Sequence, residues 1–380
     1  MPASVSPHTT PATAVTRRTL LRGTAVAAAT GTALCPATAA ATSPPTAPQA
    51  SGTELVLLGT CGGPVPMHGR AGISSALVVD GRAYLVDCGP GTFGRFPQAW
   101  LTPDQLQAVF VTHLHSDHLA DLYPLLWLRF GGFQSLTAPV HLYGPGSAGA
   151  LPDIWPAGRT VPTVSPEVPA PGLSDLVAGQ IAATAYDINV RMRSEGWPDI
   201  RDLVRAHDIR LPERTRAGAD GPVAPPMRPF EVMRDDRVRV TATLVEHPPV
   251  FPSYAFRFDT ADGSVVFSGD TAPCRNLERL ARGADVLVHE VMDLPTLTMA
   301  GLRPAQLRHM EISHTDAVRV GRVAERARCR TLVLNHLVPG ATNVISDDTW
   351  HTKASRGYSG QVVVGTDLTR LPVGARARRA

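Results

Sequence analysis

Between residues 113 and 118 the chain reads His113-Leu114-His115-Ser116-Asp117-His118, directly after the apolar run Ala108-Val109-Phe110-Val111-Thr112. No other feature constrains the fold so tightly. A packed core does not accept three imidazoles and a carboxylate without partners, and a plain turn has no use for them. Imidazole and carboxylate are the donors that zinc-like divalent ions take. His113 and His115, two apart, can point the same way from a loop, which leaves Asp117 and His118 for a second ion. The cluster therefore predicts two neighbouring ions, with a single zinc site or a solvated polar loop as the competing readings. It also demands a scaffold whose strands end where the loop begins.

Two ions need more donors than one loop supplies, and the later sequence offers them at strand ends. Glu246-His247 closes the run Val238–Val245, Ser268-Gly269-Asp270 closes Val265–Ser268, and Asn335-His336 closes Leu332–Asn335. Each alone reads as a turn or a cap; their order after the six-residue cluster makes them a set. Further strands are expected at Leu55–Leu58, Ser75–Val79, Tyr84–Val86, Ala255–Phe258 and Val286–His289, with Asp80-Gly81 as a hairpin signal. Val318, Val320, Val323, Ala324 and Ala327 give helical spacing over Asp316–Arg328. Two strand-rich halves are expected to bring their loop ends to one site, although no short internal repeat is visible. Residues 144–237 break the rhythm with a proline-rich stretch and a helical segment around Ile181–Arg193. They read as an insertion shaping the entrance of the site.

Composition settles which classes are excluded. With 380 residues, 43% hydrophobic and 18% charged, the chain is neither a disordered tail nor a disulfide miniprotein. No window has the ~20 strongly apolar residues of a membrane span. Arg17-Arg18, the Ala-, Thr- and Gly-rich stretch after them and Ala37-Thr38-Ala39 have the layout of a twin-arginine-type export signal over residues 1–40, followed by a linker at 41–52 and a domain at 53–380. The expected location is secreted or periplasmic, with the twin-arginine machinery as a partner. The formal charge of +3 comes from Arg17, Arg18 and Arg22, so the chain beyond the signal is neutral. From Arg191 to Asp220 seven arginines face six acids, which is a solvated face and not a basic arm. Nucleic acid is disfavoured as a partner on these grounds; a homodimer remains open.

His113–His118 matches the His-x-His-x-Asp-His motif of the metallo-β-lactamase fold, and the chain resembles that superfamily from about Leu55 to about Leu371. The likeness is greatest to its tRNase Z and arylsulfatase-like branch. Val86-Asp87-Cys88-Gly89-Pro90-Gly91 is similar to the early motif whose aspartate buttresses the metal loop. The resemblance implies a four-layer αβ/βα sandwich of the α/β class. It implies one ion on His113, His115 and His247, the other on Asp117, His118 and His336, and Asp270 bridging both. The ions would be zinc, with manganese or iron(II) as alternatives. Val288-His289-Glu290 and Ser313-His314-Thr315 resemble the pair of motifs that protonates the leaving group in tRNase Z, which implies His314 as general acid supported by Glu290. For Glu290 a salt bridge or loop hydrogen bond is the competing reading, and for His314 a helix-start role.

Those residues together imply ester hydrolysis by a metal-bridging hydroxide, with Asp117 orienting the nucleophile. Small phosphodiesters or aryl sulfates are the expected anionic substrates, with a tRNase Z-like endoribonuclease or a lactone or β-lactam hydrolase as alternatives. A non-catalytic metal-binding protein and an iron redox protein are the readings from other classes. Of the other histidines, His141 reads as a strand residue, His207, His309 and His351 as solvated, and His68 as a candidate for the cleft wall. Cys61, Cys88, Cys274 and Cys329 suggest no particular pairing.

Overall fold

The computed structural model describes residues 51–65 and 67–374, so the export-signal reading and nearly all of the linker lie outside the described residues. One sheet is built by β1 (Thr53–Gly59), β2 (Ser74–Val79), β3 (Arg82–Val86), β4 (Leu106–Phe110), β5 (Val140–Pro145) and β6 (Val204–Ile209). The other comprises β7 (Phe230–Arg234), β8 (Arg239–Leu244), β9 (Tyr254–Asp259), β10 (Ser264–Phe267), β11 (Val286–Met292), β12 (Thr331–Val338) and β13 (Gln361–Val364). The last strand, β14 (Arg370–Pro372), returns to the first sheet and pairs with β1. The orders are β14-β1-β2-β3-β4-β5-β6 and β13-β12-β11-β10-β9-β8-β7.

Both sheets follow one plan. Each has three antiparallel pairings and then three parallel ones: from β14 through β3 and on to β6 in the first, from β7 through β10 and on to β13 in the second. The duplication is topological and leaves no repeat in the sequence, because backbone pairing constrains side chains only to an apolar alternation. Asp80 and Gly81, with φ of 45° and 77°, form the turn of the expected hairpin, whose register places Val79 opposite Arg82.

Alternate residues of β1 enter different cores. Val56 and Leu58 join the cluster under the first sheet's helices, whereas Leu55 and Leu57 join the cluster between the sheets. In β11, Val286 and Val288 face the middle while Leu287 and Val291 face the second helical layer. Strands covered on both sides need apolar residues at every position, which is why Leu55-Val56-Leu57-Leu58 is continuous and not alternating. The helix Ala317–Ala327 buries Val320, Val323, Ala324 and Ala327 in that outer core; the Asp316 side chain caps its start by accepting from Val318 N. Helix, sheet, sheet and helix give the four-layer αβ/βα sandwich.

The interval 144–237 is more integrated than an insertion. It supplies β6 and β7, one of the two edge strands of each sheet, and two helices, Leu173–Ala183 and Ala185–Ser194, separated at Thr184. Leu173, Val177, Ile188, Ile200 and Leu203 belong to the first outer core. Among the described residues no helix is long and apolar enough to cross a membrane.

Candidate metal centre

The motif loop leaves β4 at Val111 and is tied down by an aspartate from the neighbouring strand. Asp87, just past β3 and at φ 60°, accepts from Thr112 N at 2.8 Å and from Thr112 Oγ1 at 2.9 Å. Its Oδ2 also lies 2.8 Å from His118 Nδ1, which therefore donates to it. Because the Thr112 hydroxyl gives its proton to Asp87, it accepts from His113 Nδ1 at 3.1 Å. His247 Nδ1 donates to the Ser313 carbonyl at 2.9 Å. In each of these three histidines the outer nitrogen is engaged and Nε2 is turned inward, the tautomer a metal ligand needs.

The inward atoms form two sets. His113, His115, His247 and Asp270 make one, and Asp117, His118 and His336 the other, with donor atoms inside each set within 4.8 Å of one another. His115 Nδ1 lies 2.9 Å from His113 Nε2 and 3.4 Å from His247 Nε2. His336 Nε2 is 3.4 Å from Asp117 Oδ2. Asp270 stands between the sets: its Oδ2 is 3.3 Å from His336 Nε2, 3.4 Å from His118 Nε2 and 3.9 Å from His113 Nε2. His118 Nε2 and Asp270 Oδ1 are buried without a hydrogen-bond partner among the described residues. Unpaired donor atoms converging in a sealed place are costly unless a cation takes them. The donor set thus fits two divalent ions.

The backbone makes room for these groups at strand ends. Between β11 and β12 the register slips, so that Glu290 faces Asn335, Val291 faces Leu337, and His336 is the extra bulge residue at φ 44°. The bulge turns its ring toward the site, at the backbone strain common in functional positions. Gly269, at φ 59°, brings the chain so close to the Tyr254 carbonyl that a Cβ would collide with it.

Charge divides the centre. Burial holds His113, His115 and His247 below the ordinary imidazole range, and the other histidines add to the effect for His113. Burial acts the same way on His118 and His336, but carboxylates reverse it: Asp270 and Asp87 raise His118, and Asp270 and Asp117 raise His336. Asp270 is driven well below the usual carboxylate range despite its burial, chiefly by His336 and His118.

Beside the two sets lies the hydrogen-bonded pair Glu290 and His314. Glu290 Oε1 accepts from His314 Nδ1 at 3.1 Å, from Thr271 N at 3.0 Å and from Thr315 N at 3.1 Å. Burial disfavours the charged His314 ring, yet Glu290 and then Asp270 raise its pKa. Both competing expectations meet here: Glu290 is a loop-ordering hydrogen-bond acceptor and, through the same oxygen, the group that orients His314. A cleft of about 360 Å³ opens over this floor, lined by His115, Asp117, Asp270, His309, His314 and His336.

All of the expected site residues converge on this cleft or its immediate support. Expectations fail at His309 and over 144–237. His309 is not solvated: it is half-buried on the helix Pro304–Ser313, its ring centroid 5.5 Å from that of His314 and 5.6 Å from that of His247. Burial and the His314 charge lower its pKa to about 4. The sequence carries no signal for this beyond its nearness to Ser313-His314. His68 is exposed and does not line the cleft, and neither does any residue of 144–237, although Arg308 stacks its guanidinium over the Trp155 ring at 5.2 Å. His141 and His207 hydrogen-bond each other at 2.9 Å on β5 and β6, away from the cleft lining. The four described cysteines are buried and free.

Two mixed sheets between helical layers, with paired His/Asp donor sets at the carboxyl ends of their strands, define a metal-dependent hydrolase acting on ester bonds. The description "Metallo-beta-lactamase superfamily" matches residues 69–127. Ribonuclease Z of Mycobacterium bovis is 31% identical over 326 residues, which cover 85% of this chain and 99% of that protein. Ribonuclease Z of Mycobacterium sp. (strain KMS) is 33% identical, covering 84% of this chain and 96% of its own. The chain belongs to the metallo-β-lactamase superfamily, on its ribonuclease Z branch. Among solved structures, the short form of human tRNase Z shares the fold at 19% identity and a TM-score of 0.55, covering 84% of this chain and 99% of that one.

Proposed function

We propose that this protein is an exported, zinc-dependent phosphodiesterase of the ribonuclease Z type, acting on RNA phosphodiesters. The observation that carries the proposal is Asp270 shared by two donor sets directly beside the Glu290–His314 pair. Two divalent ions held there supply charge neutralisation for the phosphate oxygens and make water acidic enough to attack near neutral pH. The chain's own groups do the rest. Asp117, anchored by Gly63 N at 3.0 Å, orients the attacking water. As the new bond to phosphorus forms and the bond to the leaving oxygen breaks, His314 gives its proton to that oxygen, and Glu290 stabilises the ring in the protonated form it needs beforehand.

Nothing in the cleft selects sulfur over phosphorus, and the relatives' name favours the phosphodiester over the aryl sulfate first expected. The case against nucleic acid rested on the expected export, on the neutral charge and on the balanced charges of 144–237. That balance does not exclude a short single-stranded segment, and export has its own test. A second reading, small phosphodiesters only, is favoured by one observation. Arg191 pairs with Asp187 and Glu195, Arg201 with Asp199, and Arg205 with Asp202, so these arginines are neutralised within their own segment. Export rests on Arg17-Arg18 and Ala37-Thr38-Ala39. N-terminal sequencing of secreted material should find a start near residue 40; an uncleaved cytosolic chain would remove that part of the proposal.

The substrate test gives the zinc-loaded mature chain bis(p-nitrophenyl) phosphate, an aryl sulfate, a cephalosporin and a precursor tRNA with a 3′ extension. Cleavage of the RNA and the aryl phosphodiester is expected. Turnover of the phosphodiester without the RNA would select the second reading, and turnover of only the sulfate or the cephalosporin would overturn both.

A further inference from the structure

His309 has no part in the chemistry above, yet its hydrogen bonding fixes which ring nitrogen carries a proton. The Ser313 hydroxyl donates its single proton to the Pro248 carbonyl. Toward His309 Nδ1, 3.2 Å away, that oxygen can therefore only accept, so Nδ1 carries the ring's proton. A neutral imidazole with Nδ1 protonated presents a bare lone pair on Nε2. Among the described residues Nε2 has no hydrogen-bond partner, and it is not one of the sealed, unsatisfied atoms. The ring lines the cleft beside Met310 and Ser116, and one of its nitrogens lies within 4.8 Å of donor atoms of His247 and His314. A lone pair in this position repels the anionic oxygens of a phosphate and favours a neighbouring hydroxyl donor.

We infer that His309 is a specificity residue whose Nε2 accepts a hydrogen bond from a substrate hydroxyl beside the scissile phosphate. In a nucleic acid, the group with that chemistry is the ribose 2′-hydroxyl, which distinguishes RNA from DNA at a given site. This rests on the phosphodiesterase reading and assigns one residue to reading the ribose.

The experiment compares kcat/KM for uridylyl-uridine with that for its 2′-deoxyuridylyl counterpart, using zinc-loaded enzyme, with bis(p-nitrophenyl) phosphate as a hydroxyl-free control and zinc content measured on every variant. The native chain should favour the ribose substrate by roughly 3–10-fold, the range of one hydrogen bond. His309→Ala should bring that ratio to about one with zinc content retained, and His309→Gln, which keeps an acceptor, should restore part of it. A native ratio of about one overturns the inference, as does a His309→Ala ratio equal to the native ratio while all three substrates slow together. Loss of zinc in His309→Ala would make the residue a metal ligand, and the inference would again fail. If the native enzyme does not hydrolyse bis(p-nitrophenyl) phosphate at all, the phosphodiesterase reading itself has failed, and this inference with it.

Discussion

The two donor sets meet at one aspartate and differ in almost everything around it. His113 and His247 lean on neutral groups, the Thr112 hydroxyl and the Ser313 carbonyl, and burial keeps the rings of this set readily deprotonated. His118 and His336 face Asp87, Asp117 and Asp270, and those carboxylates raise their pKa values. An ion entering the first set meets imidazoles whose charged forms burial disfavours, while an ion entering the second meets imidazoles that carboxylates make harder to deprotonate but gains more negative charge in return. A fold built twice on one plan has thus produced two unequal pockets. The inequality comes from which strand ends carry carboxylates.

Removing the group the two sets share should have the largest effect. Asp270→Ala is expected to abolish turnover and lower metal content to one ion or none, by elemental analysis of the purified protein. Retention of two ions would mean that the sets do not depend on a common bridge. Next in size, His314→Ala lies outside both sets and should keep both ions while slowing hydrolysis by roughly 10²–10⁴-fold, as the loss of a general acid does. Metal loss in that variant would make His314 a ligand, since its donor atom also lies within 4.8 Å of those of Asp270 and His336. The smallest change, Asp87→Asn, acts directly on the second set and only through Thr112 on the first. It replaces the oxygen that accepts from Thr112 Oγ1 and His118 Nδ1 with a donor, reaching His113 at one remove and leaving the His115 and His247 contacts in place. Zinc titration against a competing chelator should show one site weakened by roughly 10–100-fold and the other weakened less. Equal weakening of both would erase the distinction.

Much of the site was legible because ligand chemistry sits next to strand ends in the chain. His113 to His118 follow β4 at once, and His247, Asp270 and His336 lie at or just past the ends of β8, β10 and β12. Apolar runs gave the strands, and the turn at Asp80-Gly81 gave a register. His309 was not legible, since a histidine in a polar helical stretch looks the same whether its helix faces water or a cleft. The interval 144–237 was misread for a related reason. Its strands β6 and β7 are short edge strands whose mixed exposure does not stand out from loop sequence.

By itself the sequence supplied the donor residues and the apolar runs of the strands, because those follow from residue type and periodicity. The four-layer sandwich and the pairing of Glu290 with His314 followed only from the resemblance of its motifs to a known family. Tertiary structure decided how the donors are divided, which carboxylate faces which imidazole, and which nitrogen of each ring is turned inward. His118 is six residues from Thr112 and thirty-one from Asp87, yet one carboxylate binds both. His336 reaches Asp117 across 219 residues only because a bulge twists it out of its strand. Such pairings depend on electrostatics and hydrogen-bond direction over a few ångströms, and those distances exist only once the two sheets have packed face to face.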